Sequence, residues 1–415
     1  MIDQIGAEIG CLISHHCFIC CLVRNRDRRH HRSLRRNGES IMALGAWLRV
    51  SLAVAIIGLS TLLSGHASAL SPRQYRWDEL PGDAFNAQGS ALKASVYVSV
   101  GARVRGKAPL LVLLHGCEQD ASSFFTDSGW MDIADRYGLI VLLPEQQHNA
   151  FAMVGGASRY GNPLGCFNFA DRLTSSLKGG VPREAGAIVS MVDAVRAGKG
   201  LDRDGPRIED GRVYVTGLSA GAGMAATLLA DFPQVFAGGA LFAGVPALCA
   251  QSMQSAASLC GISVSRGCAE VKARSGGYDS REWTKAVQRA QHPAGRPRVL
   301  IVQGTADCTV DPQNALYLTN QWTAFHGLKT DAPVVIGQEP SWPERAVRQG
   351  YAPVGANALW VETVLLKDVG HVMPIDTGNP QRPCGRVRVS ETKTYIEDVG
   401  FCGAALAAGF LQLEQ

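Results

Sequence analysis

Several features that mark common protein classes are scarce or absent in this sequence of 415 residues. After residue 69 there is no basic block, because 32 Lys and Arg residues are balanced by 32 Asp and Glu residues. This neutral charge argues against a nucleic-acid partner. The apolar run at 52–63 is too short to span a membrane, and the glycine-rich turn at 217–221 is not the G-x-G-x-x-G loop of dinucleotide-binding proteins. What remains is a neutral chain of about 345 residues, long enough to bury one large core.

The first 69 residues differ in composition from the rest of the chain. Residues 1–41 contain four cysteines and seven arginines without apolar periodicity, and we interpret them as a misassigned upstream extension or a disordered leader before Met42. A metal-binding tail is less favoured, because the cysteines of this segment do not form two C-x-x-C pairs. Residues 42–69 have the layout of a signal peptide, with Arg49, an apolar core and a small-residue cleavage site. We expect a secreted protein, extracellular or periplasmic, with no membrane anchor.

Residues 70–415 alternate between apolar runs and segments with helical spacing. This alternation predicts a doubly wound, mostly parallel sheet with helices on both faces, in a single α/β domain. Residues 94–100 alternate like an edge strand. Two segments interrupt the rhythm, 246–280 and 330–358, and we expect such insertions to shape a substrate cleft. The predicted strands are 109–116, 139–144, 212–217, 236–245, 298–304 and 361–367, and the predicted helices are 121–137, 182–197, 312–325 and the segment after residue 219.

The most informative stretch is Gly-Leu-Ser-Ala-Gly at 217–221. A β-branched run precedes it and a small, apolar segment follows it, so the motif lies between a strand and a helix. This context is typical of a nucleophile elbow, in which Ser219 projects its hydroxyl from a tight turn. A chance glycine-rich turn is the alternative, and the flanking strand and helix signals disfavour it.

A serine nucleophile needs a general base, and the base needs an orienting acid. In α/β-hydrolases the chain order is serine, acid, histidine, which leaves His292, His326 and His371 as base candidates. His371 directly follows a predicted strand and is our choice. For the acid, three aspartates follow predicted strands: Asp307 is favoured, Asp311 is the runner-up that more plausibly opens a helix, and Asp368 is weaker.

Attack on an ester also requires two donors for the oxyanion. We expect one to be the backbone N–H of Ala220 and the other the backbone N–H of Cys117, in the loop after an early strand. His115 fits a structural hydrogen-bonding role in that loop. A free, nucleophilic Cys117 is disfavoured, because eight cysteines in an exported chain predict disulfides. We assign no metal site.

Together these motifs resemble the polyhydroxybutyrate depolymerase esterase family, which is related to secreted feruloyl and acetylxylan esterases. The resemblance covers roughly residues 90–375. It implies an α/β-hydrolase fold, a Ser–Asp–His triad at Ser219, Asp307 and His371, an oxyanion donor at Cys117, and no cofactor. Members usually have tryptophans where this chain has Phe167 and Phe169. The motifs that carry it are His115-Gly116-Cys117, Pro144-Glu145-Gln146, Cys166-Phe167-Asn168-Phe169, residues 212–221, Asp307-Cys308-Thr309-Val310 and Gly370-His371.

The sequence therefore predicts a monomeric serine esterase acting on short-chain polyhydroxyalkanoate or its oligomers. A feruloyl or acetyl esterase acting on plant polysaccharide or small esters is the closest alternative, a peptidase with the same triad is less favoured, and an inactive polymer-binding relative is a further alternative. Two smaller hypotheses follow. A Cys308–Cys384 disulfide would join the acid and base loops, and Phe167 and Phe169 would line the acyl pocket, with ordinary core aromatics as the alternative.

Overall fold

The computed structural model describes residues 78–80, 90–149, 161–172, 181–263, 268, 295–338, 342–387 and 395–414. All of them belong to one unit, Pro72–Gln415. The predicted leader and signal peptide at 1–69, His292 and most of the second half of the 246–280 segment lie outside the described residues. Within the described residues, no helix combines the length and the apolar character that a membrane crossing requires.

A ten-stranded sheet forms the centre of the described structure. The strand order is β1-β2-β4-β3-β5-β6-β7-β10-β9-β8, and β11 pairs separately with β12. The strands from β4 to β10 in this order run parallel, whereas β1, β2, β9 and β8 pair antiparallel at the two ends. The strands are β1 (Asp78–Glu79), β2 (Lys93–Val98), β3 (Lys107–Leu114), β4 (Ile140–Glu145), β5 (Arg207–Leu218), β6 (Gly238–Phe242), β7 (Arg298–Gly304), β8 (Val335–Gly337), β9 (Ala346–Tyr351), β10 (Val361–Leu366), β11 (Met373–Ile375) and β12 (Ile396–Asp398).

Helices cover both faces of this sheet, as the sequence predicts. In β3, Leu110 and Val112 enter one apolar cluster with α4, α5 and α7, whereas Leu111 and Leu113 enter a second cluster with α2, α3 and α8. Both faces of a central strand are thus buried, which explains its continuous apolar sequence. The described helices are α1 (Val100–Arg105), α2 (Ala121–Asp127), α3 (Trp130–Tyr137), α4 (Arg183–Arg196), α5 (Ala220–Asp231), α6 (Met253–Leu259), α7 (Asn314–Phe325) and α8 (Gly403–Leu411).

The predicted α/β class is confirmed, but three local predictions were wrong. The helix predicted over 121–137 is divided into α2 and α3, because Gly129 adopts a φ of 85° between them. The predicted edge strand at 94–100 is β2, which lies second from the edge because β1 pairs outside it. Part of the 330–358 segment forms β8 and β9, which extend the sheet.

Candidate active site

Ser219 occupies the sharp turn between β5 and α5. Its φ of 57° and ψ of −119° lie in a region that non-glycine residues rarely adopt. The backbone N–H of Ser219 donates to the carbonyl of Phe242 at 2.9 Å, and its carbonyl accepts from the N–H of Gly223 at 2.9 Å. The serine is thus held between the neighbouring strand β6 and the first turn of α5, in the strained geometry that a nucleophile elbow requires.

Two glycines leave the space that this turn needs. A Cβ added to Gly217 would lie 2.5 Å from the carbonyl carbon of Gly221, and one added to Gly221 would overlap the carbonyl oxygens of Leu114 and His115. Both contacts involve backbone atoms that cannot move aside. The G-x-S-x-G pattern therefore reflects backbone crowding, and it lets α5 approach the end of β3 closely.

Asp307 and His371 come together although 64 residues separate them in the chain. The Nδ1 of His371 lies 2.8 Å from the Oδ2 of Asp307, and both side chains are largely shielded from solvent. Oδ2 also accepts from the side chain of Gln303 at 2.9 Å, while Oδ1 accepts from the backbone N–H groups of Thr309 at 2.8 Å and Val310 at 2.9 Å. The carboxylate is fixed by four donors, so it can hold the imidazole in one orientation.

The competing candidates for base and acid have other partners. The Nε2 of His326 contacts the carbonyl of Pro297 at 3.0 Å, and burial lowers the pKa of His326 to about 4. Asp311 accepts from the backbone N–H of Gln313 at 3.0 Å, as a residue near a helix start does. The backbone N–H of Asp368 donates to the hydroxyl of Thr305.

The expected oxyanion loop lies against Ser219. A Cβ added to Gly116 would lie 3.5 Å from the Cβ of Ser219, and the N–H of Gly116 donates to the side chain of Gln119 at 2.7 Å. Among the described residues, the backbone N–H groups of Cys117 and Ala220 have no hydrogen-bond acceptor. Two such donors beside a serine are what an oxyanion site needs.

His115 has a structural role in this loop, as expected. Burial lowers the pKa of His115 to about 4, so the ring is neutral. Its Nε2 accepts from the backbone N–H of Gln146 at 3.1 Å, which leaves the ring proton on Nδ1. Nδ1 then donates to the carbonyl of Gly116 at 2.8 Å.

A cavity of about 720 Å³ brings these groups together. Ser219, Ala220, Cys117 and His371 are part of its wall, and Asp307 lies behind His371. Part of the 246–280 segment lines the cavity through α6 and the residues that follow it, as expected for a cleft-forming insertion. The apolar lining residues include Leu164, Val245, Met253, Ala257, Ile262 and Val310.

The two phenylalanines proposed for the acyl pocket lie elsewhere. Phe167 is fully buried and its ring packs 4.9 Å from that of His115, while Phe169 is 4 % exposed and borders Gly223 in α5. Neither ring belongs to the described cavity wall. Both are core residues that pack against His115 and α5, so the prediction that they line the acyl pocket was wrong.

The eight cysteines of the domain are all paired, as their even number predicts, but the proposed Cys308–Cys384 pair is wrong. Cys384 joins Cys402 and so closes a loop that contains β12, and it lies beside Gly129. Cys308 joins Cys268 beside the acid loop. The other pairs are Cys117–Cys166 and Cys249–Cys260.

Three further residues near the site were not predicted from the sequence: Gln303, Tyr395 and Glu118. Gln303 donates to Asp307, and its signal was a polar side chain near the end of an apolar strand. The ring of Tyr395 packs edge-on to that of His371 at 5.9 Å, and its hydroxyl donates to Glu118 at 3.0 Å. No local pattern predicts that contact. Within the described residues, no cluster of His, Cys, Asp or Glu side chains is arranged to hold a metal ion.

Comparison with known proteins gives consistent matches. The family model described as "Esterase PHB depolymerase" matches residues 92–335. Poly(3-hydroxyalkanoate) depolymerase C of Paucimonas lemoignei is 32 % identical over 301 residues, covering 72 % of this chain and 61 % of that protein, so the chain spans less than two thirds of that relative's length. Acetylxylan esterase A of Emericella nidulans is 26 % identical over 286 residues, which cover 67 % of this chain and 80 % of that protein. The structure of an acetyl xylan esterase from Aspergillus awamori matches 68 % of this chain and 89 % of its own with 21 % identity and a TM-score of 0.48.

Proposed function

Since the chain belongs to the polyhydroxybutyrate depolymerase family of carboxylic ester hydrolases, we propose that it is a secreted serine esterase that hydrolyses short-chain polyhydroxyalkanoate or its oligomers. The observation that carries this proposal is the 2.8 Å hydrogen bond between Asp307 and His371 at the cavity that Ser219 lines. Four disulfides support an exported protein, because they persist in oxidising compartments.

In the proposed mechanism, the hydroxyl oxygen of Ser219 attacks the ester carbonyl carbon while His371 takes its proton. Asp307 holds the imidazole and stabilises its protonated form. The backbone N–H groups of Cys117 and Ala220 donate to the oxyanion of the tetrahedral intermediate. As the intermediate collapses, His371 gives the proton to the departing alcohol and an acyl-enzyme remains. Water, deprotonated by His371, then attacks the acyl carbon, which releases the acid and restores Ser219.

The cavity supports an uncharged ester chain as substrate. Its volume of about 720 Å³ exceeds what an acetyl group fills and accommodates several units of a short polyester. Much of its wall is apolar, and the described lining residues include no Lys or Arg that would favour an anionic substrate. A neutral oligomer fits this environment better than a free acid does.

Acetyl ester hydrolysis is the second candidate, and the acetylxylan esterase relatives favour it. The same triad would act on an acetyl or feruloyl group carried by a polysaccharide. In that case the cavity would hold the sugar residues next to the scissile ester instead of the monomers of a polyester.

A substrate panel tests these alternatives. Acid release is measured from amorphous polyhydroxybutyrate, acetylated xylan, methyl ferulate and p-nitrophenyl butyrate, with Ser219→Ala as the control. We expect activity on polyhydroxybutyrate and on p-nitrophenyl butyrate, both lost in Ser219→Ala. Higher kcat/KM on acetylated xylan than on the polyester or its oligomers would support the second candidate. Binding to the polymer without hydrolysis of any of the four esters would support an inactive polymer-binding relative.

A further inference from the structure

We propose that Glu184 is a positioning residue, which fixes the peptide between Gly116 and Cys117 so that its N–H points at the oxyanion; this inference rests on the proposed function. Glu184 belongs to the first turn of α4 and is fully buried. It is not part of the described cavity wall. Its effect on the reaction would therefore be transmitted through the residues that it holds.

The carboxylate of Glu184 accepts three hydrogen bonds from two segments. Its Oε1 accepts from the side-chain amides of Gln146 at 2.8 Å and Asn168 at 2.6 Å, and its Oε2 accepts from the backbone N–H of Asn168 at 2.7 Å. No cation pairs with it among the described residues. Burial raises the pKa of Glu184 to about 7, the three donors oppose this rise, and the negative charge of Asp171 adds to it. A buried acid without a cation is unfavourable for stability, which points to a role in fixing its partners.

The first segment leads from Glu184 to the carbonyl of the oxyanion peptide. Gln146 follows β4, and its backbone N–H donates to the Nε2 of His115 at 3.1 Å. The Nδ1 of His115 in turn donates to the carbonyl of Gly116 at 2.8 Å. Because a trans peptide points its C=O and N–H in opposite directions, fixing the carbonyl of Gly116 also fixes the N–H of Cys117. The orientation of the donor thus depends on a chain of contacts from Glu184 to the side chain of Gln146, and from the backbone N–H of Gln146 to His115.

The second segment holds the next peptide of the loop, between Cys117 and Glu118. The side-chain amide of Asn162 donates to that of Asn168 at 2.9 Å, and its oxygen accepts from the backbone N–H of Leu164 at 2.9 Å. The carbonyl of Leu164 accepts from the backbone N–H of Glu118 at 2.8 Å.

The disulfide Cys117–Cys166 adds a covalent link between the oxyanion loop and this segment. The side chain of Gln146 also donates to the carbonyl of Cys166 at 3.0 Å. Glu184 therefore joins the two segments that hold residues 116–118, one through Gln146 and the other through Asn168. This arrangement also gives a physical reason for the polar residues Gln146 and Asn168 in the motifs Pro144-Glu145-Gln146 and Cys166-Phe167-Asn168-Phe169, since both meet at one carboxylate.

The test replaces Glu184 with Leu and with Gln. Glu184→Leu removes all three acceptor contacts and puts an apolar side chain of similar size in place of the carboxylate. Glu184→Gln retains an oxygen for Gln146 and the side chain of Asn168, but places an amide donor opposite the backbone N–H of Asn168. Ile188→Val is the matched control, because Ile188 is a fully buried residue of the same helix that belongs to the apolar core.

Hydrogen exchange and kinetics are measured on the three variants. We expect faster exchange at the backbone N–H groups of Glu118 and Gln146 in Glu184→Leu, with unchanged exchange in β5 and β7. On p-nitrophenyl butyrate, kcat should fall by about 10- to 100-fold, with KM within about threefold of the wild-type value, because an oxyanion donor acts in the transition state. Glu184→Gln should retain more of kcat, and Ile188→Val nearly all of it.

Two results would overturn the inference. One is unchanged exchange at Glu118 and Gln146 in a folded Glu184→Leu protein or, if that variant does not fold, unchanged exchange at Glu118 in Glu184→Gln. The other is a loss of kcat matched by an equal loss of titratable active sites, since that indicates fewer folded molecules and no change in positioning. Failure of the proposed function has a different signature: the wild-type protein is then inactive, or Ser219→Ala remains active, while the exchange data still decide whether Glu184 fixes the loop.

Discussion

At the scale of single residues, hydrogen bonds distinguish Asp307, the proposed acid, from the other candidates. Each oxygen of Asp307 accepts from two donors, and one of these four donors is the ring of His371. The sequence alone favours Asp307 through its place after a strand, but it leaves Asp311 and Asp368 open. Only the three-dimensional contacts separate them, because the histidine is 64 residues away in the chain.

Asp307→Asn tests whether both carboxylate oxygens of Asp307 are needed. An amide has one acceptor oxygen in place of two, so its NH2 group must face either His371 or the backbone donors of Thr309 and Val310. The imidazole then loses its orientation or its preferred tautomer, and we expect kcat to fall by on the order of 10³- to 10⁴-fold. The measurement is kcat for p-nitrophenyl butyrate at neutral pH.

The matched controls for Asp307→Asn are Asp311→Asn and Asp368→Asn, which make the same chemical change in the runner-up residues. Neither aspartate contacts His371 through a described hydrogen bond. We expect kcat to stay within about threefold of the wild-type value in both. A larger loss of kcat in either control than in Asp307→Asn would show that Asp307 is not the acid.

At the scale of elements, the buried residue His326 caps the C-terminus of α7, and its burial affects the pKa of its imidazole. His326 follows Phe325, and its ring lies 5.2 Å from the rings of Phe325 and Trp360. Its Nε2 donates to the carbonyl of Pro297. The pKa of His326 is lowered to about 4, chiefly by burial and also by the positive charge of Arg296, while the hydrogen bond to Pro297 opposes the shift.

This lowered pKa predicts a pH-dependent stability. Between pH 6.5 and pH 4 the unfolded chain binds a proton at His326 that the folded chain does not bind. The free energy of unfolding must therefore decrease as the pH falls through this range. His326→Gln keeps a donor for Pro297 but cannot titrate. We expect its stability relative to the wild-type protein to increase by on the order of 2 kcal/mol between pH 7 and pH 4.

Urea denaturation of both proteins across this pH range measures the difference. Contributions from His115 and from the buried carboxyl groups are the same in the two proteins and cancel. The hydrolytic activity at neutral pH should be unchanged, because His326 is not part of the described cavity wall. Parallel stability curves would show that His326 titrates equally in the folded and unfolded chains.

The elements also show how far local sequence determines structure. The elbow is predictable because its requirements are local: a buried strand, a helix, and two glycines where backbone atoms crowd. The break between α2 and α3 is not, because Gly129 is required by the approach of Cys384, a residue that is distant in the chain. Likewise, β8 is a short strand whose existence depends on pairing with β9.

At the scale of the whole molecule, the sheet gathers loops from distant parts of the chain at the carboxyl ends of its parallel strands. The loops after β3, β5, β7 and β10 provide Cys117, Ser219, Asp307 and His371, respectively. The parallel sheet could be predicted from apolar runs, and it places the carboxyl ends of its strands at one edge. This is why the proposed triad of Ser219, Asp307 and His371 could be inferred from the sequence.

Other features of the site depend on packing that no local pattern encodes. Eight cysteines allow 105 sets of pairs, and the observed set depends on which loops meet. The role that we infer for Glu184 was also missed, because one acidic residue near a helix start normally indicates solvent exposure. Phe167 and Phe169 have the apolar character of pocket residues, but their burial behind His115 and α5 places them in the core.

Fluorophosphonate labelling tests most directly whether Ser219 is the nucleophile of a Ser–His–Asp esterase. Wild-type protein and the His371→Ala variant are incubated with the probe, and mass spectrometry locates the label and measures its amount. We expect one equivalent on Ser219 in the wild-type protein, together with complete loss of p-nitrophenyl butyrate hydrolysis, and much slower labelling in His371→Ala. A label on another residue, or no label on the folded wild-type protein, would contradict the claim.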